Sequence, residues 1–383
     1  MKCNIKVVPI ILLFSVFILL ISYGGQKDKW KGKIEYENGV KVIKNPNEPL
    51  CGEITFELEE DLSIGREDDE NYMFYRATGL AVDSQANIYV LDSRNYRIQK
   101  FDNKGKYLQT IGRRGQGPGE FMGPSRFRIE GITESIFVLD FRSIKIFDNE
   151  GNYIRDIRLS KGLSDFFLAG EEYILGRFST TDEKRRSISI ISVFNSKGKT
   201  IKKIADFPER FPVIDGTIYK APHGYLSWPF ISELNARTFV YGYSSDYELN
   251  IIDETGNLLY KIRKDAPPQS LKKKEKDYIR EIFPKEIQNR VPLPSYRPFF
   301  SSILSDGERI YVTAFKSPLE QSKEMKFDIF SKEGYFLYNT TLSFIPRIIK
   351  NGYVYTIISS EETGQVFVKR YKIKNWDRIK KGI

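Results

Sequence analysis

The chain is poor in the residues that most enzymes of its size use. It has 383 residues but one histidine, His223, and two cysteines, Cys3 and Cys51. A single imidazole excludes a metal centre built from several histidines, and two thiols exclude a cysteine-ligated one. If the N-terminal segment is removed, Cys51 stands alone and no intrachain disulfide forms. His223 lies in a loop, where a lone histidine serves either as a general base or simply as a surface residue. There is no G-x-S-x-G elbow and no H-E-x-x-H. Gly112–Gly119 (GRRGQGPG) lacks the Lys-Ser/Thr ending of a phosphate-binding loop, so it reads as a turn between strands. What is abundant is basic charge and aromatic surface. Lys plus Arg number 60 against 50 acidic residues, a net charge of +10, and 14% of residues are aromatic. Such a surface favours anionic partners or is simply solvated. The aromatics suit sheets packed face to face.

One stretch, Gly79–Gly123, organises the rest. It reads as a complete four-stranded sheet: a short inner strand, NIYVL (Asn87–Leu91), YRIQKF (Tyr96–Phe101), a tight turn ending in Gly105, and KYLQTI (Lys106–Ile111). Ile136–Ile157 repeats it closely. Looser copies follow at Ile190–Ile204, Leu249–Ile262 and Phe327–Thr340. The turn glycines Gly105, Gly151, Gly198, Gly256 and Gly334 are evenly spaced at first and then further apart. A repeat of four short strands with a few insertions is the signature of a β-propeller.

The motifs Ile88–Asp102 (IYVLDSRNYRIQKFD) and Gly112–Ile129 (GRRGQGPGEFMGPSRFRI) resemble those of NHL-type six-bladed propellers. The likeness runs over roughly Cys51–Trp376. It implies an all-β fold of six blades. Strong second strands at Ile88, Ile136, Tyr173, Thr238, Ile310 and Val354 give the same number. The last blade lacks its own outer strand. Ile54–Leu58, apolar at alternate positions, is expected to supply it and close the ring.

In front of the propeller, residues 1–25 combine a basic start, the apolar run Val7–Ile21 and small residues. This is the pattern of a signal peptide or membrane anchor, although the run is shorter than the ~20 residues that span a bilayer comfortably. The protein is therefore expected to be exported: periplasmic, on the cell surface, or held at the membrane by this segment alone. Residues 26–50 read as a polar stalk with one short strand at Lys41–Lys44, residues 51–376 as the propeller, and 377–383 as a basic tail. Asp265–Pro298 is an insertion between blades 4 and 5. Ser270–Phe283 within it carries a helical stripe of Leu271, Tyr278, Ile279 and Ile282. The insertion serves either as a lid or docking element or as packing over the rim. A second insertion, Phe207–Trp228, precedes blade 4.

The resemblance implies that ligands bind on the face holding the outer-to-inner loops and the turns after second strands. Arginines recur there: Arg76, Arg113, Arg114, Arg126, Arg142, Arg177, Arg297 and Arg347, with Tyr296 beside them. Arginine's planar fork takes carboxylate or phosphate bidentately. The same arginines also suit internal pairing with aspartates such as Asp83, Asp92 and Asp140. Arg94 is of this kind. Propeller hydrolases of related type hold a divalent cation with carboxylates, for which Asp83, Glu130 and Asp306 are the inner-strand candidates. These three fall at strand ends, where the resemblance implies structural roles. The expectation is a non-catalytic binding or scaffold propeller that recognises a protein segment or anionic ligand at the arginine-rich face. No catalytic residue, metal or cofactor is assigned. The alternatives are a lyase or hydrolase with a carboxylate-held cation and, if the N-terminal segment is not for export, a nucleic-acid-binding propeller.

Overall fold

The structure, a computed structural model, describes residues 30–382 apart from 171, 184–185, 210–212, 215–216, 220–224 and 236. The expected signal or anchor segment and His223 lie outside the described residues. No helix among the described residues is long and apolar enough to cross a membrane.

Six antiparallel sheets stand around an axis, in chain order at 77–111, 124–158, 165–208, 229–264, 300–342 and 348–373, the last completed from elsewhere. We number them blades 1 to 6. Second strands such as Ile88–Asp92 and Ile136–Asp140 are buried at every position, because both faces of each blade are covered by neighbours. Outer strands such as Tyr107–Ile111 are mostly uncovered and carry polar residues. Each interface between adjacent blades has its own apolar cluster. Phe121, Phe127 and Phe147 fill the one between blades 1 and 2, and Phe300, Phe330 and Phe336 the one between blades 4 and 5. The repeated turn has a local cause. Asp102 accepts the N–H groups of Lys104 and Lys106 at 2.8 and 2.9 Å, and Asp148, Asn195 and Asp253 do the same in blades 2 to 4. The glycine that follows must be left-handed. Gly198 has φ +75°, and a Cβ there would lie 2.0 Å from the Arg158 carbonyl oxygen of the preceding blade.

The ring closes through the N-terminal sequence, but with a later segment than Ile54–Leu58. Strand β3 (Leu58–Ile64) pairs antiparallel with Val366–Ile373, from Leu58 opposite Ile373 to Ile64 opposite Val368. The acidic run Glu59-Glu60-Asp61 does not read as strand in isolation. It pairs there because basic residues face it: Glu59 meets Lys374 at 2.9 Å, Glu60 meets Lys369 at 2.9 Å, and Asp61 meets Arg370 at 3.0 Å. Opposite charges across a strand pair favour this register. The alternation from Ile54 to Leu58 has another use. Phe56 is buried in the cluster between blades 5 and 6, while the Ile54 N–H donates to the Asn339 carbonyl of blade 5's outer strand at 2.8 Å.

Part of the expected stalk is also built into the fold. Strands β1 (Lys33–Glu37) and β2 (Val40–Asn45) form a hairpin, and β2 adds in parallel to the outer strand Leu258–Lys264 of blade 4. Val42 and Ile43 of β2 are fully buried there. The chain thus runs along the outer edges of blades 4, 5 and 6 in turn before entering blade 1. The C-terminal segment is docked through Lys380 rather than free. The guanidinium of buried Arg309 donates to the carbonyls of Ile379 (2.8 Å) and Lys380 (3.2 Å) and lies 4.3 Å from the Trp376 ring.

Asn45 holds the hairpin to two blades. Its side-chain amide donates to Gly334 O at 2.8 Å and Arg263 O at 3.3 Å, and its oxygen accepts the Phe336 N–H at 2.9 Å. Asn45→Ala strands these buried groups and is expected to cost about 2–3 kcal/mol in chemical denaturation. Asn45→Asp is expected to be no better, because a carboxylate would face two carbonyl oxygens.

Candidate functional site

Inner strands begin on the face that carries the outer-to-inner loops and the turns after second strands. Buried aspartates shape those loops. Asp92, fully buried, accepts the N–H groups of Tyr75 and Arg76 at 3.3 and 2.8 Å. Asp140 accepts those of Met122 and Gly123 at 3.1 and 2.6 Å. Each aspartate ends a second strand and pins the incoming loop beside it, so the loop side chains are aimed outward from a fixed base.

The charge of one expected arginine acts on two others. Arg126 comes from blade 2, Arg177 from blade 3 and Arg347 from the start of blade 6. Partial burial pushes the Arg347 guanidinium below its ordinary pKa, and the Arg126 charge adds to this, although Arg347 keeps an exposed surface. Burial likewise lowers Arg177, partly offset by Asp165, with Arg126 lowering it further. Arg177 lies 5.3 Å from the Trp228 ring, and its buried Nη1 has no hydrogen-bond partner. The nearest counter-charge, Asp165, is already held by Arg128 at 3.0 Å and is 4.0 Å from Arg126. Arg128 also stacks on Phe167 at 4.5 Å. The sequence reading missed Arg128 and Asp165. The only signal was the alternation Arg126, Arg128 along one inner strand.

The other expected residues divide into two groups. Arg76, Arg113, Arg114 and Arg142 are exposed on loops of the same face. Arg113 is tied to Glu120 at 2.8 Å, and Arg114 lies over Tyr96 at 5.4 Å. Among the described residues Arg94 pairs with no aspartate, and it stands 5.8 Å from the Tyr75 ring. Large apolar side chains share this face: Tyr75 is 68% exposed, Phe141 62% and Tyr296 53%. Phe141 is held at φ +55°, an uncommon backbone for a bulky residue.

Arg297 belongs elsewhere. It is nearly buried, bonding Glu275 of the insertion at 3.0 Å and Gln269 at 3.3 Å. The three carboxylates considered for a cation are also committed, on the opposite face. Asp83 holds Asn87 and Tyr89, Glu130 caps its own turn at Ile132 and Thr133, and Asp306 holds Arg309 and Tyr311. Among the described residues no three His, Cys, Asp or Glu side chains gather as metal ligands would.

A family model described as Domain of unknown function (DUF4934) matches residues 81–382. The chain belongs to the DUF4934 family. Two crystal structures share the fold of this DUF4934 protein. One, a Bacteroides fragilis protein named as exported, is 13% identical with a TM-score of 0.54, covering 87% of this chain and 99% of that one. The other, a member of the DUF4221 family from Bacteroides vulgatus, is 14% identical with a TM-score of 0.51, covering 83% and 98%. A stretch of 85 residues is 29% identical to the Drosophila melanogaster protein brain tumor, a match spanning 21% of this chain and 8% of that protein.

In this DUF4934 chain the two insertions pack on each other. Helix α1 (Lys273–Glu281) contributes Ile279, which joins Leu271, Phe283, Ile287 and Val291 with Ile214, Tyr225 and Leu226 of the earlier insertion in one apolar cluster. Glu275 on α1 is the polar tie to the rim. Burial would raise its pKa, but the Lys272 N–H and then Arg297 outweigh it and hold the carboxyl below its ordinary 4.5. A carboxyl depressed in the fold stabilises above its unfolded pKa and loses that effect as pH falls through the folded value. The insertion is therefore expected to resist limited proteolysis at neutral pH and to become cleavable only once the pH has fallen below the ordinary carboxyl value of 4.5. Arg297→Ala leaves Glu275 buried without its cation. It is expected to cost about 3 kcal/mol and to make the insertion cleavable at neutral pH.

Proposed function

We propose that the protein is an extracytoplasmic binding module, not an enzyme. It captures an extended segment of another protein on its loop face, with a carboxylate of that segment entering the channel mouth. The observation that carries this reading is the convergence of Arg126, Arg177 and Arg347 from three blades, with the Nη1 of Arg177 buried and unpartnered. Like charges brought together repel, and an incoming carboxylate relieves the repulsion while supplying the missing acceptor. The exposed rings of Tyr75, Phe141 and Tyr296 give apolar anchors around this charge, and aromatic side chains with arginine are the residues protein interfaces favour. Loops pinned at Asp92 and Asp140 are preorganised, which lowers the ordering cost of binding. The NHL-type reading of the repeat and the export of the chain belong to the same proposal. They are supported by the motifs at Ile88–Ile129 and by the basic and apolar N-terminal sequence.

The test uses fluorescent extended peptides with one Asp, one Glu or a free C-terminal carboxylate among apolar residues, read by fluorescence polarisation. Binding is expected to weaken with salt, and Arg126→Ala with Arg347→Ala is expected to lower affinity at least about tenfold. Undiminished binding by the double variant removes the channel from the proposal.

A further inference from the structure

A second site lies on the rim between blades 4 and 5, away from the channel. A cleft of about 430 Å³ opens there beneath the chain that leads into and out of the 265–299 insertion. Its polar wall is a buried network. Asp328 of blade 5 meets Lys264 of blade 4 at 2.7 Å, both side chains less than a tenth exposed, and it also accepts the Tyr247 hydroxyl and, at 2.5 Å, the Asn339 amide. Lys264 is further held 4.3 Å from the Phe336 ring. The half-buried rings of Phe299 and Phe315 line the same cleft.

Ring packing alone does not require this network. The other blade interfaces are filled by apolar clusters, and a buried ion pair is often replaceable by apolar residues at no loss. The other charged residues of the cleft also balance, Lys326 against Glu53 and Arg297 against Glu275 of the insertion, so the network supplies a wall whose charges cancel, with spare hydrogen-bonding capacity of both kinds. Asp328 has accepted three hydrogen bonds of the roughly four that a carboxylate takes, and Lys264 has given one of its three protons to an oxygen. A carboxylate ligand would be repelled by Asp328, and an ammonium ligand by Lys264. A pair of neighbouring hydroxyls suits both groups at once, one donating to the carboxylate and the other accepting from the ammonium. The Phe299 and Phe315 rings suit the C–H face of the same molecule. The size falls within the range of small-ligand pockets.

We infer that this cleft binds a neutral polyhydroxylated ligand, a mono- or disaccharide, with Lys264 and Asp328 as its polar floor. The inference does not rest on the loop-face proposal, since no arginine of the channel takes part.

The test is thermal unfolding of the full chain with about 10 mM glucose, galactose, mannose, N-acetylglucosamine or maltose, against glucuronate and glutamate at the same concentration. At least one neutral sugar is expected to raise the melting temperature by a few degrees, and titration calorimetry with that sugar is expected to show one site. Asp328→Asn is expected to weaken it about tenfold or more. Because that change also disturbs a buried pair, Pro267→Trp serves as a second variant. It fills the cleft from an exposed rim position, leaves the floor intact, and is expected to abolish binding. Three results overturn the inference: no neutral sugar acts; the sugar stabilises the Pro267→Trp protein equally, as a general solvent effect would; or glucuronate or glutamate outperforms the neutral sugars.

Discussion

A propeller is stable only if its first and last sheets meet, and here that meeting rests on one strand supplied from far away in sequence. Leu58–Ile64 completes the sheet that the C-terminal chain leaves one strand short. Everything said of the channel follows from this closure. The inner strands converge on one axis because the ring is shut, and only then do arginines from blades 2, 3 and 6 face one another. The three acidic residues of that strand, matched to Lys374, Lys369 and Arg370, make its register electrostatic as well as apolar. A slip by one residue would turn Ile64, buried between blades 6 and 1, toward solvent.

On this frame the two halves of the loop face differ. Around blades 1 and 2 the loops are short, pinned by Asp92 and Asp140, and present arginine and aromatic side chains to solvent. Around blades 3 to 5 the two insertions bury their apolar residues in each other and are tied to the rim by Glu275 and Arg297. One half is a rigid open surface. The other is a small second core seated on the propeller, over the cleft between blades 4 and 5. The insertion that read as either lid or packing element is packed by its own apolar residues and those of the earlier insertion, and anchored through the Glu275–Arg297 pair.

The repeat was readable because its physics is local. An Asp or Asn three residues before a left-handed glycine recurs in blades 1 to 4, and an apolar second strand recurs in every blade, so the blade number and the second strands stand where the sequence puts them. The closing strand was displaced because apolar alternation points to Ile54–Leu58, whereas Glu59, Glu60 and Asp61 find their partners only in three dimensions. The hairpin at 33–45 was read as a stalk for the same reason. Its cause lies in Asn45 and in the edge of blade 4, more than two hundred residues away. Among site residues, position in a loop told which face each arginine occupies but not what it meets. Arg297 looked like Arg126 in sequence, yet it neutralises a helix carboxylate while Arg126 faces other cations. The Lys264–Asp328 pair left no trace at all, because its members come from separate repeats.

The route of the N-terminal chain has a consequence for how the protein is made. Residues 33–64 leave the ribosome before any blade, yet beyond their own hairpin all their strand partners belong to blades 4 to 6. They must wait, undocked, through most of translation, and they are among the last to settle. Completion of the fold is thus coupled to synthesis of blade 6: a product truncated before it would keep an open ring with bare strand edges, the form that quality-control proteases and chaperones recognise.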